Sequence, residues 1–274
     1  MYANAKSAAA RTPVTVPRLC EMKSRREKIA VLTAYDASFA AQCDAAGVDV
    51  VLVGDSLGMV VQGRGSTLPV SVDDMVYHTA AVARGATNAL LVADMPFMSF
   101  RDIDTALASA ARLMADGGAA MVKLEGADYV LDVIDALARR AVPVCAHLGL
   151  TPQSVHKLGG YRVQGKTKAA AERLLADARA VEHAGADLLV LECVPAVLAK
   201  RISAELTIPT IGIGAGVDCD GQVLVIYDML GITPGKRPRF SKDFLAGTGS
   251  VLEAMRAYVT AVRDGEFPAA EHSF

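Results

Sequence analysis

The chain has no tryptophan, and aromatic residues make up only 5% of its 274 positions. An interior so short of rings must be filled by Ala, Val, Leu and Ile, which suits parallel strands under helices better than an antiparallel sandwich. Strong charge of one sign is also missing. The formal net charge is −2, and no extended basic cluster stands out beyond the short Lys23, Arg25, Arg26, Lys28 stretch, so nucleic acid has no electrostatic footprint. No apolar run approaches the roughly 20 residues that cross a bilayer, which argues against a membrane role. The N-terminal stretch MYANAKSAAARTPVTVP lacks the apolar middle of a secretory signal, and residues 1–14 are expected to form a flexible tail. The cysteines (20, 43, 145, 193, 219) form no CxxC pair, as in a cytoplasmic protein with reduced thiols. His78, His156, His183 and His272 show no metal-ligand spacing, which excludes an ordinary zinc site.

Short aliphatic runs alternate with helical patterns instead. Strands are expected at 29–35, 48–54, 90–95, 119–125, 143–148, 187–192, 208–213 and 222–227. Helices are expected at 37–46, 72–86, 101–116, 128–140, 168–184 and 195–205, with Ser71 and Asp73-Asp74 at one start and Gly47, Gly117 and Gly185 at ends. Repeated βα units imply parallel strands with right-handed crossovers. Eight of them favour a closed (β/α)8 TIM-type barrel, one catalytic domain over residues 15–274. A short helix from Thr15 to Arg26 would plug the upstream end. A final helix over 248–263 is a candidate for packing on another subunit. The gap from Gly214 to Gly221 is too short for a crossover helix, so either that helix is a stub or one flanking strand is misplaced. The insert from Leu57 to Pro69 is long for a βα loop, and Gly58, Gly63 and Gly65 would permit a mobile lid.

Chemistry is expected where the aliphatic runs end in charge. VDVVLVGDS reaches Asp55 and Ser56, LLVADMPF reaches Asp94, AAMVKLEG closes on Lys123 and Glu125, and ADLLVLECV stops at Glu192. Downstream strand ends share the rim where such barrels keep their active sites. Lys123 and Glu125 are two residues apart and share a face, as do Cys145 and His147. Asp55, Asp94 and Glu125, from successive strands, suit a hard cation such as Mg2+. Lys123 would neutralise a substrate carboxylate or developing enolate. Glu192, across the ring, is the candidate general base. The bland alternatives are a loop cap at Asp55, a turn at Asp94 before Met95-Pro96, a solvated Lys123–Glu125 pair and a His147 that only satisfies backbone groups. IGIGAG at 211–216 lacks the helix and downstream acid of a dinucleotide site and reads as a tight turn.

LTAYDASFA, VGDSLGMVVQG, STLPVSVDDM, VADMPFMSF, VKLEG, HLGLTPQSV, LGGYRVQGK, LECVP and GIGAG…CDGQVLVIYDMLG occur here in the order found in the ketopantoate hydroxymethyltransferase family, which the chain resembles from about Thr15 to Arg263. That family is similar to the phosphoenolpyruvate/pyruvate-type barrels. The resemblance implies transfer of a hydroxymethyl group from 5,10-methylenetetrahydrofolate to 3-methyl-2-oxobutanoate, with Mg2+, in a large homo-oligomer such as a decamer. It implies Asp55, Asp94 and Glu125 around the metal, Asp55, Ser56, Asp94, Lys123 and His147 around the oxo acid, and Glu192 as proton acceptor. Gln62-Gly63-Arg64-Gly65 departs from a more polar pair expected in the family, which bears on lid contacts and not on the chemistry. The alternative is another metal-enolate barrel, a lyase or mutase acting on a 2-oxo acid. Such a lyase is expected to carry a KKCGH-like stretch where this chain has HLGLTPQSV.

Overall fold

A computed structural model describes residues 12–274. Residues 1–11 of the expected tail lie outside the described residues. Its last residue is not loose: the Val14 N–H donates to the Asn88 carbonyl at 2.7 Å, and its side chain is buried. The elements follow in order: α1 (Val16–Ser24), β1 (Ile29–Thr33), α2 (Ala37–Ala46), β2 (Val50–Val53), α3 (Leu57–Val60), α4 (Val72–Ala83), β3 (Leu90–Asp94), α5 (Ile103–Ala115), β4 (Met121–Glu125), α6 (Leu131–Ala138), β5 (Val144–Gly149) and α7 (Val155–Leu158). Then come α8 (Lys168–His183), β6 (Leu188–Glu192), α9 (Ala196–Glu205), β7 (Thr210–Ile213), β8 (Gly221–Leu224), α10 (Ile226–Met229) and α11 (Val251–Arg263). The strands are all parallel and close as β1-β2-β3-β4-β5-β6-β7-β8, a TIM-type barrel.

The aliphatic runs form strands because both of their faces are buried. Ala30, Leu32, Val51, Val53, Leu91, Ala93, Val122 and Leu124 point outward under the helices. Their neighbours Val31, Val50, Leu52, Leu90, Val92, Met121, Leu188, Val190 and Ile211 point inward and fill the barrel. Helix α1 closes the bottom: Leu19 and Met22 join that inner cluster. Thr15 caps α1 by accepting from the Arg18 N–H, and Lys23 Nζ fastens it to Asp220 Oδ2 at 2.8 Å. The expected plug is present.

Strands β7 and β8 are both real, with Ile211 opposite Gly221 and Gly212 opposite Gln222. It is the helix between them that is missing. Gly214 (φ 62) and Gly216 (φ 84) turn the chain in left-handed conformations, and Gln222 Nε2 donates to the Gly216 carbonyl at 3.0 Å. The segment beyond α11 lies over this gap, where the Ala196 N–H donates to the Phe274 carbonyl at 2.8 Å. Strand β8 also ends earlier than its aliphatic run, because the Ile226 N–H donates to Thr33 Oγ1 (3.0 Å) and the chain turns into α10.

Helix α11 turns its apolar face to its own chain. It packs on α2 and β1 within the chain and buries Met255, Tyr258, Val259 and Val262. The fully buried Tyr258 hydroxyl lies 2.9 and 2.8 Å from the carbonyls of Val31 and Gln222, sealing the β1–β8 seam. In the 57–69 insert, Gly58 is required by close packing: a Cβ there would meet Val70 Cγ2 at 2.6 Å. The insert folds back on α3, with the Arg64 N–H donating to the Gly58 carbonyl at 2.8 Å.

Candidate active site

Strand parity carries one charged set to the inner face at the downstream rim. Asp94 and Lys123 are direct register partners, as are Glu125 and His147. Glu192 ends β6 on the same face as Val190 and Leu188. Asp55 lies two residues past β2 and is brought inward by the turn into α3. All of these, with Ser56, line one cavity of about 560 Å³ at the barrel mouth.

The cavity floor is held by hydrogen bonds. Lys123 Nζ lies 2.5 Å from Asp94 Oδ1, an ion pair whose two side chains are each 5% exposed. The Asp55 N–H donates to Asp94 Oδ2 at 3.0 Å, so each oxygen of Asp94 accepts one hydrogen bond and keeps a further lone pair. Gln153 Nε2 donates to Asp55 Oδ2 at 2.9 Å, and the Gln153 N–H donates to Glu125 Oε2 at 3.0 Å. Ser56 Oγ is 2.8 Å from the Tyr35 hydroxyl. His147 stands between two carboxylates, with Nδ1 3.5 Å from Glu125 Oε1 and Nε2 3.2 Å from Glu192 Oε2. Neither contact is aligned as a hydrogen bond, so the two ring nitrogens meet these carboxylates as charge contacts alone.

Burial, then the charges of Asp94 and Glu125, hold the Asp55 carboxyl well above the usual carboxylate range, against Lys123 and Gln153. Burial pulls the Lys123 ammonium down, but Asp94, Glu125 and Asp55 outweigh it and keep Lys123 charged. Burial and the Lys123 charge likewise oppose protonation of His147, yet Glu125 and Glu192 push it up to about 9. Glu192 keeps 14% of its side chain exposed to the cavity.

These carboxylates are hard oxygen donors crowded enough to oppose one another's charge, which fits a Mg2+ site. The Asp55 oxygen not taken by Gln153 remains for a cation. Among the described residues no three His, Cys, Asp or Glu side chains converge on a single point as a metal cluster. The arrangement therefore suits a cation held by one or two carboxylates, with water and substrate oxygens in its other positions.

Sequence reasoning had missed Gln153 and most of the mouth. Tyr161, Lys236, Arg239, Phe240 and Phe274 line the outer cavity. The PGKRPRF run at 234–240 was the one available signal for the mouth. Burial pushes the thiols of Cys145 and Cys193 up to about 12, which disfavours the thiolate form. His78 Nδ1 lies 2.7 Å from the Tyr35 carbonyl, away from the charged set.

The family model for ketopantoate hydroxymethyltransferase matches residues 13–270. The chain belongs to that family. A 3-methyl-2-oxobutanoate hydroxymethyltransferase of Alkalilimnicola ehrlichii is 62% identical over 264 residues, covering 96% of this chain and 95% of the relative. The enzyme of the same name from Burkholderia mallei is 59% identical, covering 97% and 98%. Among solved structures the fold is similar to phosphonopyruvate hydrolase in complex with oxalate and Mg2+ (TM-score 0.59, 13% identity, 77% of this chain and 80% of that one). It is also similar to 2,3-dimethylmalate lyase (TM-score 0.55, 14% identity, 79% and 82%). Those two likenesses concern the barrel alone.

Proposed function

We propose that this protein transfers a hydroxymethyl group from 5,10-methylenetetrahydrofolate to 3-methyl-2-oxobutanoate, giving 2-dehydropantoate and tetrahydrofolate. The observation that carries the reading is the opposition, in one cavity, of an acidic set anchored on Lys123 and a separate carboxylate, Glu192, in a chain of this family. Asp55 and Asp94 would hold Mg2+, with Glu125 behind them. The metal, when bound, withdraws electrons from the substrate's carboxylate and keto oxygen and so acidifies C3.

The chain's own groups perform the rest. Lys123 supplies a fixed positive charge on the floor, where negative charge develops as the C3 proton leaves. Glu192 is exposed to the cavity and takes that proton, directly or through one water. The resulting C3 nucleophile forms the new C–C bond to the one-carbon unit and water its new C–O bond, while both C–N bonds of the methylene break and N5 and N10 of the folate each leave with a proton, one originating at C3 and one from the water. His147, beside Glu192, presents its Nε2 to the base and helps hold the oxo acid. Ser56, oriented by Tyr35, supplies a hydroxyl at the same end of the cavity.

The family resemblance also supports a homo-oligomeric enzyme of the cytoplasm. No helix among the described residues is long and apolar enough to cross a membrane. Incubation with Mg2+, 3-methyl-2-oxobutanoate and 5,10-methylenetetrahydrofolate tests the proposal. Formation of 2-dehydropantoate is expected, and its absence under saturating conditions rejects the reading.

A further inference from the structure

Gln153 makes more contacts to the acidic set than any residue chosen for its chemistry. It lies in a single 3-10 turn, Pro152–Ser154, just after β5, and is 8% exposed. One hydrogen of its side-chain amide goes to Asp55 Oδ2 at 2.9 Å and the other to the Met95 carbonyl at 3.0 Å. Its backbone N–H goes to Glu125 Oε2 at 3.0 Å. Both side-chain partners are acceptors, so a flipped amide would set its oxygen against them; the orientation follows from chemistry. One residue from the β5 loop thus ties together the ends of β2, β3 and β4.

Three carboxylates meet a single ammonium here, and a neutral donor is the one group that can orient them without cancelling charge a cation needs. A Lys or Arg at 153 would compete with the metal. An acid would add to the repulsion that already raises Asp55. The amide fixes one Asp55 oxygen and leaves the other free, while the backbone N–H keeps a Glu125 oxygen turned toward the loop.

We propose that Gln153 is the positioning residue of the cation site, locking Asp55 in its ligating orientation and tying the β5 loop to the metal's occupancy. The inference rests on the reading of Asp55 and Asp94 as cation ligands. Outer partners of metal ligands commonly change metal affinity by about 10- to 100-fold when removed.

The test is Mn2+ binding to the substrate-free protein, followed by calorimetry or by electron paramagnetic resonance of free Mn2+. Gln153→Met keeps the side-chain length and the backbone N–H but removes both amide donors. A Mn2+ Kd about 10- to 100-fold weaker is expected, with C3 deuterium exchange recovering at saturating metal. A merely structural residue would lower thermal stability and leave both readouts unchanged. If Gln153→Met fails to fold, Gln153→Asn decides, because it keeps an amide too short to span Asp55 and Met95 together. A folded variant whose Mn2+ affinity stays within about twofold of the parent overturns the role. If the parent chain itself binds no Mn2+ or Mg2+, the metal part of the functional reading falls, and the role of Gln153 with it.

Discussion

Asp94 and Lys123 face each other across adjacent strands as register partners, and their charged atoms meet at 2.5 Å inside the barrel. Each reaches the interior because its strand delivers every second side chain there. Breaking a buried pair by removing one partner costs about 3–5 kcal/mol. Asp94→Ala is expected near the lower end of that range, because it also relieves Asp55 of a neighbouring negative charge. Denaturant unfolding measures this. The same variant is expected to raise the Mg2+ requirement by more than about 100-fold, beyond the loss of an outer partner. An unchanged metal dependence would remove Asp94 from the ligand set.

Glu192→Gln is expected to bind the oxo acid almost normally and to slow exchange of its C3 hydrogen for deuterium by about 10²- to 10⁴-fold. The exchange is followed by proton NMR with the folate omitted, which isolates proton removal from carbon transfer. Exchange at the parental rate would take Glu192 out of the base role.

His147 is expected to stay protonated in the metal-free protein until about pH 9, which NMR titration of its ring carbon proton reads directly. Its folded value lies above the ordinary 6.5, so it contributes stability that is fully present below about pH 6.5. That contribution is lost as pH rises through about 9. Glu125→Gln and Glu192→Gln should each lower the midpoint, since those carboxylates hold it up. A midpoint below 6.5 would show that burial and Lys123 prevail.

Tyr258→Phe removes the hydroxyl that bridges the carbonyls of Val31 and Gln222 without changing the ring's packing. Both carbonyls keep their β1–β8 ladder partners, so the loss is that of a typical hydrogen bond, about 0.5–1.5 kcal/mol. Thermal unfolding is expected to report that loss, and amide hydrogen exchange to quicken first along β1 and β8. Uniform quickening over all strands would argue against a local seam.

Much of this architecture was legible because parallel strands leave a distinctive record: aliphatic runs of four to six residues, several of them running into a charged group. Asp94, Glu125 and Glu192 could be placed on one rim from parity alone. The absent helix after β7 also announced itself, as a gap too short to cross. Other relations had no such record. Nothing in the order of residues shows His147 wedged between Glu125 and Glu192, since that depends on the register of three strands. Gln153 is one polar residue in a polar loop, and only the fold reveals its carboxylate partners. The packing of α11 on α2 and β1 had no such record either, since those elements lie more than two hundred positions away in the chain.

Helix α1 stoppers the bottom of the barrel with Leu19 and Met22, so the charged cavity opens toward the downstream mouth. On the function proposed above, substrates and products would share the mouth between α3, the β5 loop and the 234–240 segment, and an oxo acid held on the floor would have to enter before the one-carbon donor.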